Sequence, residues 1–187
     1  NIQIRCLLLC SFNMLGWGIT QPLIPEYSRD KLGLDGSGYA IISSVYFVGA
    51  MIASISLPYI KKYVLNSKSI FLFIVLYAFS VISFFVSPNF YVAGFMILLS
   101  GIFHAYWWAG VLLSLQIIPE ERFKGRVISF FFATLGLVGI GFIVGGFLGT
   151  KYSSFVIASA SGLILFITHF ALYVFSSSFR SLNSYNG

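Results

Sequence analysis

Apolar residues fill this chain in long continuous runs, and short polar clusters separate them. The charges bunch at Arg29 to Asp35, Lys61 to Lys68 and Glu120 to Arg126. Between these clusters the pattern predicts six spans: Cys6 to Ile24, Tyr39 to Ile60, Ser69 to Ser87, Phe90 to Ile118, Val127 to Gly149 and Phe155 to Ser176. Each is close to the roughly 20 helical residues that cross a hydrocarbon core of about 30 Å. Lipid offers no partner for backbone N–H and C=O groups, so a spanning segment is a helix or part of a closed barrel. Unbroken apolar runs lack the in-out alternation of barrel strands, which leaves the helix. The fourth span exceeds the bilayer's need, so tilt or a projecting end is expected of it. The predicted fold class is an all-α integral membrane protein: a six-transmembrane-helix bundle over residues 1–180, with a short polar tail over 181–187.

Composition agrees. Of 187 residues, 58% are hydrophobic and only 9% charged, with a mean hydropathy of +0.93. Ordinary soluble domains are about 45–50% apolar and about 25% charged, so a water-soluble fold is not expected. Cys6 and Cys10 stand four apart in one apolar run and read as membrane-embedded thiols. No Cys or His spacing suggests a metal site or disulfide framework, and no cofactor is expected. The net charge of +6 does not point to nucleic acid, because the basic residues are scattered between spans and form no basic face.

Topology explains the excess. Arg5, Lys61, Lys62, Lys68, Arg122, Lys124, Arg126 and Arg180 fall on one side of the predicted spans, and Arg29, Lys31 and Lys151 on the other. The positive-inside rule then puts both termini in the cytoplasm, in what is expected to be a bacterial inner membrane. Asn1 in place of Met is read as the cut edge of a longer chain, since Leu7 to Ile24 is longer than a signal h-region and lacks a cleavage pattern. The Ser- and Asn-rich tail reads as a true C-terminus.

Two stretches carry a family resemblance. Pro119-Glu120-Glu121-Arg122-Phe123-Lys124-Gly125-Arg126-Val127-Ile128-Ser129, followed by the glycine-rich run Gly136 to Gly149, resembles the loop between the tenth and eleventh helices of major facilitator superfamily exporters. In physical terms Pro119 ends a helix, Gly125 is expected to permit a tight turn, and Arg126 to anchor the next helix at an anionic leaflet. The first loop, Ile24 through Tyr39 leading to Gly49-Ala50, is similar to the opening of the second six-helix bundle in drug, macrolide and siderophore exporters of that superfamily. Leu57 to Tyr63 departs from the family's cytoplasmic motif by lacking an acidic residue. The resemblance favours the C-terminal half of such a transporter. It implies that spans one and four line a central cavity, that spans two and five face a second bundle, and that spans three and six are peripheral.

Within that frame, Asn13, Trp17, Thr20 and Gln21 share one side of span one, and Ser100, His104, Trp107 and Trp108 occur in span four. Polar groups in a membrane are costly and tend to face a cavity. Asn13, Trp17, Gln21, His104, Trp107 and Trp108 are therefore the substrate-cavity candidates, where aromatic rings beside uncharged donors suit an amphipathic organic molecule, cations included. The plainer reading is that the tryptophans pack and Asn13 bonds a neighbouring helix. His169 is read as structural. Since the spans contain no Asp, Glu, Lys or Arg, either His104 carries protons or the coupling carboxylates lie in a missing half, the second reading being preferred.

Gly141, Gly145 and Gly149 recur every four residues, and with Gly146 they suggest helix packing or gating. Gly141 to Gly146 also resembles the exporters' Gly-Pro-x-x-Gly-Gly signature, with Phe142 in place of Pro. The small stripe Ser43, Tyr46, Ala50, Ala53 and Leu57 on span two is expected to face another bundle.

No paired carboxylates, His cluster or nucleophile with a base is evident, so no enzyme is expected. The resulting expectation is a secondary active transporter, an exporter of small amphipathic organic molecules by alternating access. The chain would be one bundle, and its partners the bilayer, the substrate and a missing N-terminal half or second copy. The alternatives are a non-catalytic membrane assembly subunit, or a half-size transporter working as a homodimer.

Overall fold

A computed structural model describes residues 2–181; Asn1 and 182–187, most of the expected polar tail, lie outside the described residues. Among the described residues six helical segments are long and apolar enough to cross a membrane: Ile2–Asp30, Gly36–Val64, Ser67–Phe84, Phe90–Ile117, Glu121–Gly149 and Ser154–Phe175.

Span one is built in three pieces: α1 (Ile2–Ser11), α2 (Met14–Thr20) and α3 (Leu23–Asp30). At Phe12 and Asn13 the backbone tightens to bonds onto the third residue back, Phe12 N–H to Leu9 O and Asn13 N–H to Cys10 O. Pro22 marks the second break, because it has no N–H to continue the ladder. The helix resumes as α3, so the segment runs past Ile24, the end expected from hydropathy alone.

Span two is a single helix, α4 (Gly36–Val64), and span three is α5 (Ser67–Phe84). Span four is α6 (Phe90–Ile117), as long as its apolar run promised. Span five divides at Thr134 and Leu135 into α7 (Glu121–Ala133) and α8 (Gly136–Gly149). Span six is α9 (Ser154–Phe175), followed by the short α10 (Ser177–Arg180).

Side chains that accept orphan N–H groups set several starts. Asp35 accepts from Gly38 N–H at 2.8 Å, Asn66 from Ser69 N–H at 2.9 Å and Asn89 from Val92 N–H at 3.0 Å.

The spans alternate in direction. At one end the start of span one meets the end of span four and the start of span five, with Ile4 beside Ile118 and Phe123. There too Ser67 Oγ donates to Arg180 O at 3.2 Å. At the other end Tyr27 donates to Ser87 O at 3.2 Å and packs on Phe84 and Phe85.

Glycines draw the helices into two matching pairs. A Cβ on Gly49 would strike the Leu98 carbonyl, and one on Gly101 the Tyr46 carbonyl, so spans two and four meet backbone to backbone. Spans five and one do the same, with Gly141 against Leu15 and Gly18, Gly145 against Ile19, and Gly18 against Val138. Span two thus relates to span four as span five relates to span one. That is the arrangement of two three-helix repeats inside one bundle.

Spans three and six close the far side, where Phe71 meets Phe166, Phe170 and Tyr173, and Gly162 lets Ile82 approach. The outward faces carry large apolar side chains such as Ile55, Phe79, Ile143 and Ile164, as an integral membrane protein requires.

This packing corrects one expectation. Tyr46, Ala50 and Ala53 on span two are used inside the bundle: the Tyr46 carbonyl and Ala50 N–H meet Gly101, and Ala53 is buried. The central part of the stripe, Tyr46 to Ala53, therefore packs against span four.

Candidate functional site

A cavity of about 280 Å³ opens where spans one, two, four and five converge. Span one supplies Trp17, Gln21 and Ile24, span two supplies Tyr39, Ser43, Tyr46 and Phe47, and Ile97 and Phe142 come from spans four and five. The break at Pro22 has a consequence here: Gln21 sits in the turn between α2 and α3, at the cavity wall. The lining holds aromatic rings, a primary amide, hydroxyls and no formal charge. Such a surface suits a flat apolar body carrying a few polar or cationic groups.

Behind the wall lies a second layer. The Tyr46 hydroxyl bonds His104 Nδ1. The His104 ring stacks with Trp17 at 5.8 Å and with Trp107 at 5.7 Å between centroids, and Tyr77 approaches it at 5.0 Å. Among the described residues His104 Nε2 is buried without a hydrogen-bond partner, and the Trp17 indole N–H, although beside the Tyr46 hydroxyl, reaches no hydrogen-bonding geometry.

A third layer anchors the second. Trp107 is fully buried and donates its indole N–H to His169 Nε2 at 3.1 Å. His169 Nδ1 lies 3.0 Å from Leu165 O. A carbonyl only accepts, so Nδ1 carries the proton and Nε2 presents the lone pair that Trp107 needs. The Asn13 Nδ2 nitrogen lies against the same ring, 2.9 Å from Nδ1 and 3.1 Å from Nε2. Spans one, four and six are thus tied together through buried polar side chains.

The six cavity candidates from the sequence separate into groups. Trp17 and Gln21 line the opening, and His104 stands directly behind it. Asn13 and Trp107 belong to the buried third layer. Trp108 packs on Phe131 at 4.5 Å in the seam between spans four and five, away from the cavity.

The glycines separate too. Gly141 and Gly145 press on span one, and a Cβ on Gly149 would touch Leu23 and Glu26, but Gly146 is exposed and a Cβ there would meet nothing within 4 Å.

In the loop motif Pro119 is buried just beyond the end of α6, and Glu120 and Arg126 are exposed. Gly125 corrects an expectation: it lies inside α7 with no positive φ and open space around it, so it makes no turn.

Sequence reasoning passes over Tyr39 and Phe47, and places Ser43 and Tyr46 on a packing stripe. A signal for Tyr39 and Tyr46 exists, two aromatic hydroxyls seven residues apart on one helical side. The His169 bond to Trp107 joins residues 62 apart and has no local signal.

A family model described as transmembrane secretion effector matches residues 3–184 of the chain. A search of the curated proteins found no match.

Proposed function

Because the chain belongs to the transmembrane secretion effector family, an integral-membrane family of the major facilitator type, we propose that it forms one six-helix bundle of a secondary active exporter. The substrate is a small amphipathic organic molecule, moved by alternating access of a cavity shared with a second bundle. The observation that carries this reading is the uncharged aromatic cavity walled by Trp17, Gln21, Tyr39 and Tyr46 where four spans converge.

Its physical logic is one of moderate grip. Rings and an amide hold an amphipathic guest without an ion pair, so release does not require separating buried charges. The bundle's rigid parts are the two glycine seams, and the cavity sits between them. On this reading the basic end of the bundle faces the cytoplasm. His104 holds the Tyr46 hydroxyl at the wall and serves as a positioning residue.

Transport by the full-length protein in inverted membrane vesicles tests this. Energised vesicles should accumulate a lipophilic fluorescent organic cation, and Trp17→Ala should raise the KM about tenfold, the loss of one ring contact worth roughly 1–2 kcal/mol. No flux across a panel of amphipathic cations and neutral compounds, or unchanged kinetics in W17A, would overturn the proposal.

A further inference from the structure

The basic end of the bundle holds a second cavity, of about 310 Å³, unrelated to the one between the four spans. Its walls are apolar, formed by Ile4 of span one, Ile118 after span four, and Phe123 and Val127 of α7. Two ionic groups line it, Glu120 and Arg126.

The charges on this segment are unevenly paired. Arg122 Nε donates to Glu120 at 2.9 Å, and the Arg122 guanidinium also lies over the Phe123 ring at 4.6 Å. Lys124 Nζ donates to Glu121 at 2.6 Å. Both carboxylates are thereby matched to the first two bases. Arg126 is left over, exposed and without an ion pair or hydrogen bond to any described residue. The segment so offers one surplus guanidinium above an apolar hollow, at the ends of spans one, four and five.

We propose that this cavity is a binding site for one anionic phospholipid, with the headgroup phosphate on Arg126 and the upper acyl chain along Ile4, Ile118 and Val127. A guanidinium pairs with phosphate oxygens through two parallel N–H bonds. The apolar walls give a diacyl lipid a contact that free phosphate lacks, which selects the lipid as the occupant. One basic residue near an anionic surface contributes about 1 kcal/mol, so loss of Arg126 weakens binding about fivefold.

The test is titration of the purified full-length protein in neutral detergent, followed by native mass spectrometry. The ligands are phosphatidylglycerol, phosphatidylcholine and sn-glycerol 3-phosphate. Wild-type protein should bind phosphatidylglycerol at least several-fold more tightly than phosphatidylcholine, and sn-glycerol 3-phosphate should not compete. Arg126→Gln should lose about fivefold, Arg126→Lys should fall between wild type and R126Q because it keeps the charge but not the paired N–H bonds, and Lys151→Gln, at the other end of the bundle, should change nothing. Equal binding of the two lipids would show a site that does not select an anionic headgroup, and full affinity in R126Q an apolar hollow with no headgroup recognition. Tight binding of sn-glycerol 3-phosphate would assign the site to a soluble phosphate ester. Any of these results overturns the proposal. Transport in W17A is a separate readout, so the export reading can fail while this site stands.

Discussion

Trp107 shows how much one buried ring can hold in this protein. Its indole N–H is the donor to His169 Nε2, and its face stacks on His104, which in turn holds Tyr46. Trp107→Phe keeps most of the ring but removes one of the two donors at His169 Nε2, leaving the Asn13 amide 3.1 Å away as the other, a net loss of about 0.5–1.5 kcal/mol. Thermal unfolding in detergent should show that destabilisation. His169→Leu should cost more, because it strands both the Trp107 indole N–H and the Asn13 amide, which lie against the same ring. The glycines make a complementary pair. Gly145→Leu forces a side chain into the Ile19 backbone, which cannot move aside as a flexible side chain could, so the variant should fail to fold. Gly146→Leu points into open space and should leave the unfolding midpoint within the scatter of the wild type. Equal effects at 145 and 146 would contradict the packing described here.

At the scale of elements, a helix start offers a prediction with a sign. The Asp35 carboxylate sits below the usual range because it accepts first from the Ser37 hydroxyl and then from the Gly38 N–H. A depressed folded value means that the cap stabilises α4 above the unfolded pKa, near 4 by the ordinary reference for Asp. That contribution disappears as pH falls through the folded value. Asp35→Asn keeps the capping oxygen but removes the titration, so it should flatten the stability profile below about pH 4. The elements are also where the sequence is most and least readable. Hydropathy marks six spans because the hydrocarbon core imposes one length on all of them. It does not mark partners, since lipid-facing and helix-facing surfaces are both apolar, and the side of Tyr46, Ala50 and Ala53 reads as outward although it packs inward on Gly101. Gly141 and Gly145 announce a groove through their spacing, yet nothing in that spacing says that span one fills it. Trp17 and Gln21 are legible as polar or amphipathic groups in an apolar run. Asn13 and Trp107 give the same local signal, and only the fold shows that they bond in the interior around His169.

The described residues form one six-span bundle joined by two glycine seams, between spans two and four and between spans five and one, with an uncharged aromatic cavity where spans one, two, four and five meet. Transport on the proposed scheme requires that this cavity change its exposure between the two membrane faces while the seams stay closed. Gln21 is well placed to report it, standing in the turn at the cavity wall, and the native thiols Cys6 and Cys10 are buried and give a low background. The most direct measurement is labelling of a Gln21→Cys variant of the full-length protein with a membrane-impermeant maleimide, with and without an amphipathic cation that the protein transports. The account predicts labelling that the transported cation slows at least several-fold. An introduced thiol that is unreactive from both sides of the membrane, or one labelled at the same rate with the cation present, would contradict it.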